Sequence, residues 1–287
     1  MQAREWEMDW LEVDRTKIAV FECGPREGPP IVFLHGLGHW ALGSWSMLAP
    51  YLAERHRLVA IDLPGFGLSD KPDVAYDLDY FTATVSRIVA ALAPNGATLV
   101  GHSLGGLIAA SIAAEHPTLT HRLFLINSTG FKIGRSWVVQ FLGNKLSAPV
   151  FSFQPSRWVV RRAIASAVHD PRGMDPAQFE RVYASLGDPL VRRTFARIYS
   201  AALHEVREAQ FVRIPEILGR YRGPTSAVFG KSDPYIPSDV VGLVRAVYPH
   251  AHVELVDECG HFAQLEWPAL IGERIDALHA QGGFAAS

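Results

Sequence analysis

Short apolar runs rich in β-branched residues recur along the chain, and each ends in a turn containing Gly or Asp. They are Ile18–Cys23, Ile31–Leu34, Leu58–Ile61, Thr98–Val100, Leu123–Ile126, Ser226–Phe229 and Val253–Val256. Each has the length of a buried strand. Helical patterns fill most of the gaps, over Trp45–Glu54, Phe81–Leu92, Leu104–Glu115, Val240–Tyr248 and Leu270–His279. Strands alternating with helices predict an α/β fold, a mostly parallel sheet covered on both faces. Trp6–Val13 and Ile18–Cys23 have no helix between them and predict a hairpin.

One segment breaks the alternation. From Phe131 to Gln210 there are helical patterns and no convincing strand. Trp137, Val138, Phe141 and Leu142 share one helical face, as do Phe195, Ile198, Tyr199 and Ala202. This divides the chain into a core of residues 1–130 and 211–287 and an inserted helical cap, or lid, of residues 131–210. No internal repeat, low-complexity tract or charge run appears.

Composition narrows the function. The 287 residues are 48% hydrophobic, and 27 Lys and Arg face 29 Asp and Glu for a net charge of -2. A nucleic-acid binder usually carries a basic excess, so no nucleic-acid partner is expected. Two cysteines, Cys23 and Cys259, cannot build a disulfide framework. They are expected as buried thiols. The N-terminal stretch has acids where a secretory signal needs an apolar core. No apolar run approaches the ~20 residues of a membrane helix. The expectation is a cytoplasmic monomer or homodimer with a small-molecule substrate.

The strongest chemical signal is Gly101-His102-Ser103-Leu104-Gly105-Gly106, directly between a predicted strand and a predicted helix. A serine on so sharp a turn needs small neighbours two residues away, and Gly101 and Gly105 supply them. The helix that follows points its positive N-terminal end at the serine, where an oxyanion would form. A serine hydroxyl is a poor nucleophile and needs a base, which in turn needs an orienting carboxylate. The sequence offers both after later strands: Gly230-Lys231-Ser232-Asp233-Pro234 and Cys259-Gly260-His261-Phe262. In open α/β sheets ligands bind at such strand ends.

His261 stands apart from the other histidines by this position. His56, His116 and His121 are expected at helix ends or in surface loops, and His250 and His252 beside the start of a strand. Among acids, Asp257 and Glu258 are nearer in sequence but are expected to point away from the strand end. Asn127-Ser128-Thr129 after Leu123–Ile126 offers no carboxylate, which leaves Asp233. The loop His35-Gly36-Leu37-Gly38 follows an earlier strand. An oxyanion hole needs one backbone N–H from there and one from the residue after the nucleophile, here Leu37 and Leu104. His35 is expected to shape the loop.

On these residues the chain resembles the α/β-hydrolase superfamily. The matching stretches are His35-Gly36-Leu37-Gly38, Asp62-Leu63-Pro64-Gly65-Phe66-Gly67-Leu68-Ser69, Gly101-His102-Ser103-Leu104-Gly105-Gly106, Gly230-Lys231-Ser232-Asp233 with Ile236-Pro237, and Gly260-His261-Phe262. The resemblance implies an α/β-hydrolase fold with an eight-stranded, mostly parallel sheet. It implies a catalytic triad of Ser103, Asp233 and His261, and a lid formed by the insertion. The sequence has no H-E-x-x-H, cysteine pairing or phosphate loop, and serine hydrolysis needs none, so no cofactor and no metal are expected. Relatives with an aspartate or cysteine nucleophile are excluded by Ser103.

For the reaction, the first expectation is hydrolysis of carboxylic esters of small, mostly apolar substrates through an acyl-enzyme. Trp137, Phe141, Phe151, Phe153 and Trp158 are candidates for the substrate wall, and Trp40 and Trp45 follow the oxyanion loop. The alternative is carbon–carbon bond hydrolysis of a vinylogous diketone from aromatic ring cleavage. The stretch Cys259-Gly260-His261-Phe262-Ala263-Gln264-Leu265-Glu266 is similar to that subfamily. Its members commonly carry asparagine where His102 precedes the nucleophile. They also use a cap arginine, for which Arg157, Arg161, Arg162, Arg192, Arg193 and Arg197 are candidates. A third reading is a ligand receptor that keeps the fold without catalysis.

Overall fold

A computed structural model describes residues 5–132, 134, 153–173, 175–208 and 213–280. Eight strands form one sheet: β1 (Glu7–Val13), β2 (Thr16–Cys23), β3 (Pro30–Leu34), β4 (Arg57–Ile61), β5 (Ala97–His102), β6 (Thr120–Ile126), β7 (Thr225–Gly230) and β8 (His252–Val256). Their order is β1-β2-β4-β3-β5-β6-β7-β8. Only β2 runs against its neighbours, pairing antiparallel with β1 and β4. The β1–β2 hairpin turns on Asp14 and Arg15, at φ 50° and 63°. Two positive angles in a two-residue turn match the right-handed twist of the strands it joins.

The apolar runs read as continuous because the central strands are buried on both faces. Side chains alternate across a strand. Val32 and Leu34 therefore enter one core, with Val85, Ile88 and Ile108. Ile31 and Phe33 enter the other, with Trp45, Leu48 and Ile275. The first core packs beneath α3 (Leu78–Leu92) and α4 (Leu104–Glu115), the second beneath α11 (Pro268–Ala280). Asp77 starts α3 by accepting the Tyr80 N–H at 2.8 Å.

The helix predicted over Trp45–Glu54 is instead two short ones, α1 (Ala41–Trp45) and α2 (Ala49–Leu52), joined by a 3-10 turn at Ser46–Leu48. Pro50 has no N–H to continue a helix and fits only in a first turn. Two histidines also differ from expectation. His121 lies on β6, and His56 is buried with its Nε2 on Asp276 at 2.8 Å.

Between β6 and β7 the described residues form α5 (Arg157–Ala165), α6 (Pro176–Ser185), α7 (Pro189–Glu208) and α8 (Arg213–Leu218), and no strand. Ser156 and Asp175 cap α5 and α6. Trp137, Val138, Phe141, Leu142 and Phe151 lie outside the described residues. After β7 come α9 (Val240–Val247) and, beyond β8, α10 (Ala263–Glu266).

Candidate active site

The site is built at the C-terminal ends of the parallel strands. β5 runs into α4 with only Ser103 between them, at φ 53° and ψ −117°. A non-glycine residue there is strained, and the turn closes only because its flanks lack side chains. A Cβ on Gly101 would lie 2.3 Å from the Gly105 carbonyl oxygen, and one on Gly105 would lie 2.1 Å from that of Leu34. The Ser103 N–H donates to the Ile126 carbonyl at 3.0 Å, tying the turn to β6.

The loop after β7 carries Asp233, whose carboxylate takes four hydrogen bonds. Oδ1 accepts the N–H groups of Tyr235 at 2.7 Å and Ile236 at 3.1 Å. Oδ2 accepts His261 Nδ1–H at 2.7 Å and Asn127 Nδ2–H at 2.7 Å. Accepting from Nδ1 leaves Nε2 of His261 as the acceptor in the neutral ring. Asp233 and His261 are both buried.

Several contacts hold the His261 loop. The His261 N–H donates to the Ala167 carbonyl at 2.7 Å, just past the end of α5. Glu266 gathers the N–H groups of Gly260 at 3.0 Å and Phe262 at 3.3 Å, and that of His169 at 2.7 Å. His102 Nε2–H donates to the His261 carbonyl at 2.8 Å. Burial holds the His102 pKa well below its ordinary value, so its ring is neutral beside His261. Burial also pushes the His39 pKa down to about 3, helped by His35 and His261. Cys259 is buried and its thiol pKa is pushed up by burial, so it offers no competing thiolate.

His35 shapes its loop as expected. Its Nδ1–H donates to the Gly36 carbonyl at 2.8 Å and its Nε2 accepts the Leu63 N–H at 3.0 Å. Asp62 is structural in the same way, accepting the N–H groups of Ala41 at 2.6 Å and Leu68 at 2.8 Å. The Asp62-to-Ser69 stretch thereby fixes the loop that carries Leu37.

A cavity of about 790 Å³ lies over Ser103, with Leu37, Leu104 and His261 also in its wall. As the first residue of α4, Leu104 has no intrahelical partner for its N–H. The far wall comes from α5, α6 and α7, through residues such as Val160, Phe179, Phe195 and Ile198. Of the predicted wall aromatics Phe153 lines the cavity, as does Trp40 after the oxyanion loop. Trp158 is not in the lining and is 72% exposed, and Trp45 is core at 0%. Of the predicted arginines only Arg192 lines the cavity, joined there by Arg181 and Lys71. Asp257 pairs with Lys231 on the surface, and Glu258 turns the chain at φ 51°. Among the described residues no cluster of His, Cys, Asp or Glu is arranged to hold a metal ion, and no helix is long and apolar enough to cross a membrane.

The sequence reading missed Asn127 and Glu266. Asn127 had been passed over because it is not a carboxylate. Its place directly after a strand, in line with the other site residues, was the available signal. Glu266 lies in the Cys259–Glu266 stretch with Gly260 and Phe262, but the fold alone brings the His169 N–H to it.

A mostly parallel sheet covered on both faces, with a strained serine on the β5–α4 turn and a hydrogen-bonded His–Asp pair on the loops after β7 and β8, is the arrangement of a hydrolase. The family model for the alpha/beta hydrolase fold matches residues 29–268, and the chain belongs to that family. It is 26% identical over 246 residues to the 2-hydroxy-6-oxo-6-(2'-aminophenyl)hexa-2,4-dienoic acid hydrolase of Metapseudomonas resinovorans, covering 84% of this chain and 81% of that one. It is 27% identical to the 2-hydroxymuconate semialdehyde hydrolase of Pseudomonas sp. (strain CF600), covering 90% and 89%. The solved 2-hydroxy-6-oxo-6-phenylhexa-2,4-dienoate hydrolase of Rhodococcus sp. strain RHA1 has the same fold, with TM-score 0.82, 24% identity and 96% and 99% coverage.

Proposed function

We propose that the chain is a serine hydrolase that cleaves a carbon–carbon bond in a dienoate product of aromatic ring cleavage. This reverses the order expected from sequence, which put ester hydrolysis first. The observation that carries the reading is Arg192 in the wall of the cavity that also holds Ser103 and His261. It is 7% exposed, and its Nη1 donates to the carbonyls of Leu186 at 2.6 Å and Gly187 at 3.0 Å, which fixes a cationic head in the cavity wall whose charge favours a substrate carboxylate. The activities named for the two curated relatives support the same substrate class.

In this reading Ser103 Oγ adds to the ketone carbonyl while His261 takes its proton and Asp233 orients the ring. The N–H groups of Leu37 and Leu104 hold the oxyanion. The carbon–carbon bond breaks from the keto tautomer, the vinylogous diketone formed when the dienoate's enol proton moves to the carbon that will leave; the electron pair passes through the alkene into the former enol carbonyl, and the proton returns from His261. Water then attacks the acyl-enzyme. Residues 131–210 serve as the lid, keeping bulk water from the intermediate.

Ester hydrolysis is the second reading, favoured by the apolar side chains of α5, α6 and α7 in the cavity wall. It uses the same groups without Arg192. Turnover of a 2-hydroxy-6-oxo-dienoate and of short p-nitrophenyl esters separates the two. The expected result is at least 100-fold higher kcat/KM for the dienoate, activity lost in Ser103→Ala, and a selective loss on dienoate in Arg192→Gln. A preference for esters, unaffected by Arg192→Gln, overturns the proposal in favour of ester cleavage. No product burst from any of these substrates leaves a receptor.

A further inference from the structure

Asp233 shares its His261-facing oxygen with a second side chain. Asn127, the first residue after β6, places Nδ2 2.7 Å from Asp233 Oδ2 and 3.3 Å from the Gly260 carbonyl. Both partners can only accept, so the amide must present its NH2 group to them. Asn127 thus spans the ends of three strands: it follows β6, grips the acid after β7 and holds the residue before His261.

This position is costly to the fold. Asn127 is 0% exposed, sits at φ 43°, and leaves Oδ1 without a partner among the described residues. A buried amide oxygen with no donor costs about 1–3 kcal/mol, and a left-handed non-glycine residue adds to that. Glycine would fit the backbone without either cost. Strain and unpaired polar atoms kept at one buried residue are the mark of a residue retained for the site rather than for packing.

We infer that Asn127 is a positioning residue for the Asp233–His261 pair: its amide holds the carboxylate rotamer that orients the base and stabilises the charge against which His261 takes a proton. The inference rests on Ser103 being the nucleophile. Four donors saturate the carboxylate. Without Nδ2, the oxygen facing His261 keeps only one of its two hydrogen bonds.

The reactive serine can be read without knowing the substrate. A fluorophosphonate probe forms an Oγ–P bond, breaks P–F, sends the Oγ proton to the base and releases fluoride. Asn127→Gly keeps the backbone geometry and removes only the side chain. It is expected to label Ser103 about 10- to 100-fold more slowly at saturation, with the probe's half-saturating concentration unchanged. Asn127→Asp keeps the shape and sets a second carboxyl against Asp233. It donates only while the pair holds a proton, so its labelling rate relative to wild type at the same pH is expected to recover as pH is lowered, unlike that of Asn127→Gly. The other titratable groups around the pair are His261, His102, His39, Tyr235, Cys259 and Glu266, all present in every variant. Wild-type labelling at Ser103 with both variants within 2-fold of it, and parallel in pH, overturns the inference alone. A wild type that does not label at Ser103 overturns the nucleophile assignment and the inference with it.

Discussion

Ser103 combines two roles that oppose each other. Its backbone strain, at φ 53° and ψ −117°, raises the hydroxyl out of the β5–α4 turn into the cavity. Outlying backbone angles cost about 1–3 kcal/mol. Ser103→Gly should therefore remove activity and raise stability by about 1–2 kcal/mol, seen as a higher urea midpoint at unchanged slope. An equal or lower midpoint would show the turn to be unstrained. This residue was legible in sequence because a turn so tight demands glycines at fixed offsets, which Gly101 and Gly105 provide. Asn127 was not, because its value lies in a contact 106 residues away along the chain.

At the scale of elements, the loop between β8 and α10 shows how a short segment is held without regular structure. Glu266, in α10, satisfies N–H groups from Gly260, Phe262 and His169. The last of these belongs to the segment between α5 and α6, so one carboxylate ties the His261 loop to the helices over the cavity. Glu266→Ala should cost about 2–4 kcal/mol, from several N–H groups left without an acceptor. Glu266→Gln, which keeps one acceptor oxygen, should cost less. Equal urea midpoints for wild type and Glu266→Ala would exclude the carboxylate as the tie. The strands were legible from apolar runs because burial on both faces makes them continuous. The helix over Trp45–Glu54 was misread because its apolar spacing continues through Pro50, where backbone chemistry interrupts it.

For the whole molecule, α11 closes the second core and carries a pH-sensitive contact at the end of the sheet away from the site. His279 Nε2 lies 2.9 Å from Thr98 Oγ1, its ring is 4.4 Å from that of His56, and Arg122 donates to its carbonyl at 3.3 Å. Burial lowers its pKa from 6.5 to about 4, with His56 and Arg122 adding to the shift and Asp276 opposing it. Between those values the unfolded chain binds a proton that the folded chain refuses, so stability falls as pH drops from about 6.5 to about 4. His279→Gln removes this titration. Its melting temperature should fall less than that of the wild type between pH 7 and pH 4.5, and an identical fall would assign the acid sensitivity elsewhere. The sequence by itself determined the sheet, the tight serine turn and the placement of Asp233 and His261 after later strands, because local periodicity and turn chemistry carry that information. Tertiary structure alone decided that Asn127 braces the acid, that Glu266 joins the base loop to the cavity helices and that Arg192 faces the cavity. Those depend on which distant segments meet at the strand ends, and no local pattern encodes that.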